Sequence, residues 1–228
     1  MPLAGKAVMI NWSDVALADR HAYYEWHNRE HMQGTIALPG AQRVRRFIAV
    51  NADRDLFTCC EVDDLGVVTG EAYNAKVARS SPLTRATTRL IKNAIRELAH
   101  VKVSLGPGLG GSVLTLRLDA EAGRETELGD YLATALSKAV VMPEVVGGHY
   151  FVSDMPASSY MSAERQGRPT AVPPWAVMLE GVHLEAVEAA CNALFSEAVL
   201  LQHGAKGPIV RGTYLNEITV AKMPNWQP

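Results

Sequence analysis

The chain has 228 residues, 48% of them hydrophobic and 20% charged, with a formal net charge of −2. That balance is typical of a soluble globular protein with ample core material. It offers no basic stripe, which argues against nucleic acid or an anionic membrane surface as a partner.

The opening, MPLAGKAVMINWSD, carries one lysine and a four-residue apolar run. This is too short for the core of a signal peptide or for a membrane span, so a cytoplasmic location is expected. Alternating apolar residues at 7–12 predict a first strand, and a helical pattern covers about 19–37. Strands follow at 44–50 and 57–62, then a short helix at 70–78. A further helix is predicted over 82–98, with Ser81 as its N-cap and Pro82 at its first position, and a strand at 100–105. The order is β-α-β-β-α-β, a ferredoxin-like unit. Cys59 and Cys60 are neighbours on one strand and point to opposite faces, so they should not pair. With three cysteines in all, reduced thiols are the simplest reading.

Residues 106–112, GPGLGGS, satisfy the bare G-x-G-x-x-G pattern through Gly106, Gly108 and Gly111. A dinucleotide fingerprint needs a helix N-terminus after it, and here an alternating segment follows, so a linker is the better reading. The same element order then recurs. Strands are predicted at 112–118, 148–153, 175–180 and 213–221, with helices at about 125–141 and 184–203. LPGAQRVRRFIAV from Leu38 matches MPEVVGGHYFVS from Met142, setting Pro39 against Pro143 and Phe47 against Phe151 at an offset of 104 residues. The segment MINW stands against LTLR. Two repeats are therefore expected, 1–111 and 112–228. The long segment between the strands at 148–153 and 175–180 has the composition of a lid, a partner contact or a disordered loop.

The first long helix contains EWHNREHM, in which His27, Glu30 and His31 reproduce the H-x-x-E-H order of inverted zinc peptidases. At about 100° per residue, Arg20, Tyr24, His27 and His31 share one stripe, and Tyr23, Trp26 and Glu30 share the next. The two histidines can converge on one atom, but Glu30 falls beside them, and zinc hydrolysis would need a further acidic ligand. No metal is expected. An ordinary histidine pair on an amphipathic helix is the plainer alternative. Against it, the offset sets His27 and His31 opposite Tyr131 and Ala135, and Trp26 opposite Asp130. The second repeat thus keeps the packing stripe, Leu128, Leu132 and Leu136, without the ring-bearing set. Side chains needed only to build the fold should occur in both copies, so the asymmetry favours a site in the first.

YYEWHNREHM followed by ALPGAQRVRRF resembles the EthD-like branch of the dimeric α/β-barrel superfamily, over residues 7–105 and, in degenerate form, 112–221. The resemblance implies an α+β fold in which two fused ferredoxin-like repeats form a pseudo-dimeric barrel. It carries over most directly to His31, seven residues before the Leu-Pro-Gly turn. His27 and Tyr24 are this chain's own additions. Both histidines are expected to face one pocket at the mouth of the first-half barrel, as proton carriers near the usual imidazole pKa of about 6.5. Tyr24 would steady an enolate or phenolate oxygen. Trp26 and Tyr23 would offer ring faces, and Arg45 on a barrel strand could bind a substrate carboxylate.

The leading expectation is a cofactor-independent enzyme acting on an aromatic or polyketide-like small molecule by elimination, decarboxylation, isomerisation or cyclisation. A haem-binding or oxygen-using enzyme and a non-catalytic small-molecule binder are the alternatives. Further association into a homo-oligomer stays open. Glu61 and Glu180 fall at matching strand ends, which argues for a shared structural role.

Overall fold

Alternation along the apolar segments builds eight strands among the described residues, 3–159 and 171–222 of the computed structural model. They are β1 (Ala7–Asp14), β2 (Ala41–Asn51), β3 (Leu56–Val62), β4 (Lys92–Leu105), β5 (Ser112–Ala120), β6 (Val145–Ser153), β7 (Trp175–Gly181) and β8 (Ala205–Ala221). All neighbours pair antiparallel, and the ring closes in the order β1-β3-β2-β8-β5-β7-β6-β4. Each half contributes four consecutive members of the ring in equivalent order, β4-β1-β3-β2 and β8-β5-β7-β6. This is the expected pair of ferredoxin-like repeats fused into one barrel. Gly106, at φ +114°, turns the chain out of β4, and β5 follows the linker directly, as the linker reading requires.

Two long strands close the barrel. Strand β4 pairs with β1 through Lys92–His100 and with β6 through Ala99–Leu105. Strand β8 pairs with β5 through its first half and with β2 through its second. The sequence assigned only the second part of each to a strand. The helix expected over 82–98 stops at α5 (Pro82–Thr87) and a short 3-10 turn, Thr88–Leu90, and 92–98 is strand. Ser81 does cap α5, its Oγ accepting from the Thr84 amide at 3.0 Å. The segment Lys92–Leu98 supports either period by itself, and pairing with β1 selects the strand. The helix expected over 184–203 divides into α8 (Leu184–Leu194) and α9 (Glu197–Gln202), because Ser196 is extended. Residues 160–170, where most of the proposed lid or partner segment falls, lie outside the described residues.

The barrel interior is packed. Val8, Ile10, Trp12, Phe47, Phe57, Phe151 and Tyr214 form one inner cluster, and the Trp12 indole donates to Thr115 Oγ1 at 3.3 Å. Ile10 and Thr115 therefore both point inward, so β1 and β5 correspond at an offset of 105 rather than 104; the 104 offset holds for Phe47 and Phe151 on β2 and β6. A one-residue slip between strands reverses inside and outside, so the two strand pairs need different offsets. Cys59 belongs to the inner cluster and Cys60 to the helix-facing layer, and both are free thiols, as neighbours on a strand must be.

At one end of the interior the charged residues form a chain. Arg45 Nη1 and Nη2 donate to the two Glu180 oxygens at 2.7 and 3.0 Å, and Arg43 makes a similar fork to Glu61 at 2.8 and 2.5 Å. Arg45 also lies 3.4 Å from Glu61. His149 Nε2 donates to Glu180 Oε1 at 3.1 Å, its Nδ1 lies 2.8 Å from Ser104 Oγ, and the Leu3 amide donates to the same oxygen. Burial alone would raise the Glu180 pKa; Arg45 and His149 overcome it and hold the carboxyl down at about 2. Glu61 and Glu180 thus share a structural role, as their matched positions suggested.

Glu97 is the exception. It is fully buried, and neither carboxylate oxygen has a hydrogen-bond partner among the described residues. The Ser153 hydroxyl gives its single proton to Pro173 O at 2.5 Å. Burial lifts the Glu97 pKa from 4.5 to about 8. Between those values the folded chain holds a proton that the unfolded chain releases, so Glu97 lowers stability as pH rises through the window. Glu97→Gln should match the wild type near pH 4.5 and exceed it by up to roughly 4 kcal/mol near pH 9. Parallel denaturant titrations at both pH values test this, and equal gaps at the two would contradict it.

Candidate active site

The site is built on an irregular helix. α1 (Arg20–Trp26) widens into one π-helical turn, His27–His31, before α2 (Met32–Ile36) resumes. The Met32 amide donates to the His27 carbonyl, five residues back, so side chains five apart come to lie together. The Trp26 and His31 rings are 4.7 Å apart, His27 and His31 5.2 Å, and Tyr23 and His27 5.1 Å. Strand β2 holds the turn in place. On the outer face of that strand, Arg46 Nη1 donates to His27 Nδ1 at 3.1 Å and to Asn28 Oδ1 at 2.8 Å.

A guanidinium can only donate, so His27 Nδ1 is an acceptor, and the ring is neutral with its proton on Nε2. Burial, then the neighbouring His31, Arg46 and Lys76, push its pKa well below 6.5. Burial and Lys76 bring His31 down to about 3. Both shifts run below the usual 6.5, in contrast to the sequence expectation: His27 is buried beneath the helix, and His31, partly exposed, borders two cavities beside Lys76. His31 has no hydrogen bond to its ring among the described residues.

Tyr23, Trp26, His27 and His31 form one wall of a pocket. The opposite wall is the outer face of the first-half sheet, with Met9, Asn11 and Ser13 from β1, Thr58 from β3 and Arg96 from β4. Tyr73 of α4 (Glu71–Ala78), Thr88, Ile91 and Ala94 complete it. Its free volume is about 120 Å³, and it opens to solvent on one side. A second cavity of about 240 Å³, bordered by Lys76, Arg79 and Glu30, lies on the other side of His31. The two histidines thus face one pocket as predicted, but it lies between helix and sheet rather than at the barrel mouth. The aromatic cluster already fills the barrel.

Two predicted site residues are elsewhere. The Tyr24 hydroxyl donates to Glu217 Oε1 at 2.8 Å at the surface, with the Arg46 guanidinium 4.2 Å over its ring. Tyr23, four residues before His27, rather than Tyr24 joins the histidines. Arg45 points into the barrel, 1% exposed and paired with Glu180, where no substrate reaches it. Glu30 turns toward α5, accepting from the Ser81 and Thr84 hydroxyls. No group of three metal-ligating side chains occurs among the described residues. Asn11, Tyr73 and Arg96 went unrecognised in the sequence, because nothing local marks which face of β1 or β4 lies beneath the helix. In the second repeat α6 (Glu125–Ala139) fills the equivalent layer with Leu128, Leu132, Ala135 and Leu136, against Leu179 of β7. Tyr131 spends its hydroxyl on Leu194 O.

No helix among the described residues is long and apolar enough to cross a membrane. No protein-family model matches the sequence, and no curated protein matches it. Solved structures do match, along nearly the whole chain. An anthrone oxidase-like protein superposes with a TM-score of 0.64 at 12% identity, covering 97% of this chain and 95% of its own. A candidate monooxygenase from Lactobacillus acidophilus NCFM gives 0.61 at 10% identity, covering 94% and 95%. A candidate chlorite dismutase gives 0.54 at 10% identity, covering 92% and 94%. At these identities the likeness is one of fold. The closed ring and its paired strand order are those of a dimeric α/β-barrel fold, with both halves of the barrel in one polypeptide.

Proposed function

We propose that this protein is an enzyme that oxidises a small hydroxylated aromatic compound with dioxygen, and that His31 is the proton acceptor. One observation carries the reading: two neutral imidazoles, His27 and His31, line an aromatic-walled pocket sized for a single ring. Its free volume of about 120 Å³ compares with the roughly 150 Å³ of an apolar cavity that admits benzene. The first repeat, 1–111, carries this pocket, and the second, 112–228, completes the barrel. The fold neighbours named as oxidase-like and as candidate monooxygenases support oxygen as co-reactant.

His31 takes the hydroxyl proton, and His27 Nε2–H donates a hydrogen bond to the aryloxide oxygen. The electron-rich ring carbon ortho or para to that oxygen forms a bond to dioxygen. Loss of water leaves a quinone, so that the ring is oxidised and dioxygen is the oxidant. The low pKa keeps His31 in its acceptor form, and the His27 Nε2–H hydrogen bond to the aryloxide offsets part of the cost of protonating a weak base. Elimination or isomerisation would begin with the same proton removal and consume no oxygen.

Haem, which the superfamily resemblance allows, does not fit this site. Pockets that hold drug-sized ligands run from roughly 300 Å³ upward, and a haem is larger than most such ligands, against about 120 Å³ of free space here.

Oxygen uptake with phenol, catechol and hydroquinone tests the proposal. Consumption dependent on protein and substrate, without Soret absorbance, is the expected result. Product formed with no oxygen consumed would move the assignment to a lyase or isomerase.

A further inference from the structure

Five arginines are buried among the described residues: Arg43, Arg45, Arg46, Arg96 and Arg117. Four of them hold a carboxylate. Arg43 is paired with Glu61, Arg45 with Glu180, Arg46 with Glu217 and Arg117 with Asp53. Arg96 differs. It is 8% exposed and lines the pocket, yet the one side-chain contact its guanidinium makes among the described residues is Nη2 to Met9 Sδ at 3.3 Å. A thioether is a weak, uncharged acceptor. A buried guanidinium without a counter-charge is costly and has unused donors in a fork that matches a carboxylate.

Its position gives those donors a direction. Arg96 pairs with Asn11 across β4 and β1, so both side chains project from the sheet toward the helix layer. Asn11 Nδ2 donates to Thr58 Oγ1 at 3.2 Å, which fixes its amide on the same wall. The histidines and Trp26 stand on the opposite wall. The pocket therefore has a cationic floor on the sheet side and a neutral, proton-accepting roof on the helix side, with room for one ring between them.

We infer that the ligand is a small aromatic carboxylate, held by its carboxylate on Arg96 with its ring directed toward His27 and His31. This rests on the pocket being the substrate site. It narrows the substrate class to ring acids that place an ionisable hydroxyl away from the carboxylate. Arg96 is a binding residue in this arrangement, and the chemistry stays with the histidines.

Calorimetric titration with benzoate, with benzamide, its uncharged isostere, and with phenol tests the assignment on the full chain. Wild type should bind benzoate about ten- to a hundredfold more tightly than benzamide, the range for a hydrogen-bonded charge. Arg96→Gln should remove that preference while benzamide affinity changes by less than about threefold. Arg96→Lys should keep part of the preference, which covers the case in which the glutamine variant fails to fold. Equal affinities in the wild type, or an undiminished benzoate preference in Arg96→Gln, would overturn the inference and leave Arg96 as packing against Met9. If benzamide and phenol bind and benzoate is not favoured, the aromatic pocket stands and the anion site falls. Binding of none of the three would overturn both.

Discussion

Replacing His31 with glutamine is expected to lower turnover by at least about a hundredfold, within the 10²–10⁴ range of general acid–base groups. His31 lies in the pocket with its ring free of protein hydrogen bonds among the described residues, so its loss removes a proton acceptor without leaving a broken network. Glutamine keeps polarity and much of the volume beside Trp26, and thermal unfolding should shift little. The pH profile carries a second part of the prediction. Burial and Lys76 keep the imidazole neutral down to about pH 3. Its basic form is therefore fully present above that value, and the rate should show no acidic limb from His31 between pH 5 and 8. A limb near 6.5 that disappears in His31→Gln would mean that the ring is hydrated and titrates normally. A variant with wild-type turnover would remove His31 from the chemistry altogether.

Arg45→Met should be the most destabilising single change in the barrel, at about 3–5 kcal/mol. Glu180 is fully buried, and both of its oxygens receive Arg45. Removing the guanidinium leaves a carboxylate inside the barrel with only His149 and the Gly110 amide as partners. For a chain of this size the expected loss in Tm is roughly 6–20 °C. The double variant Arg45→Met/Glu180→Gln should recover a large part of it, because the stranded charge is gone. Denaturant unfolding of both single variants and the double completes the cycle. A loss under about 1 kcal/mol in Arg45→Met would show that the pair is solvated and contributes like a surface bridge.

The repeat and the fold class were legible in the chain because periodicity and anchor residues are local properties. Pro39 against Pro143, Phe47 against Phe151, and two runs of β-α-β-β-α-β order determine two ferredoxin-like units. The contrast between the His27/His31 helix and the leucine stripe of the second repeat was legible too.

Three decisions belonged to the tertiary structure. Pairing with β1 turned Lys92–Leu98 from helix to strand, because a short mixed segment supports either period until a partner supplies its ladder. The single π turn, held by Arg46 from β2, brought Trp26 to His31, five positions on, which a constant rotation per residue cannot anticipate. Closure of the barrel set Arg45 against Glu180 from the other repeat, 135 positions away, and left Arg96 without such a partner among the described residues. Sequence fixes which face of a strand a residue takes relative to its neighbours. Which face turns inward, and what charge meets it there, depends on strands that are distant in the chain.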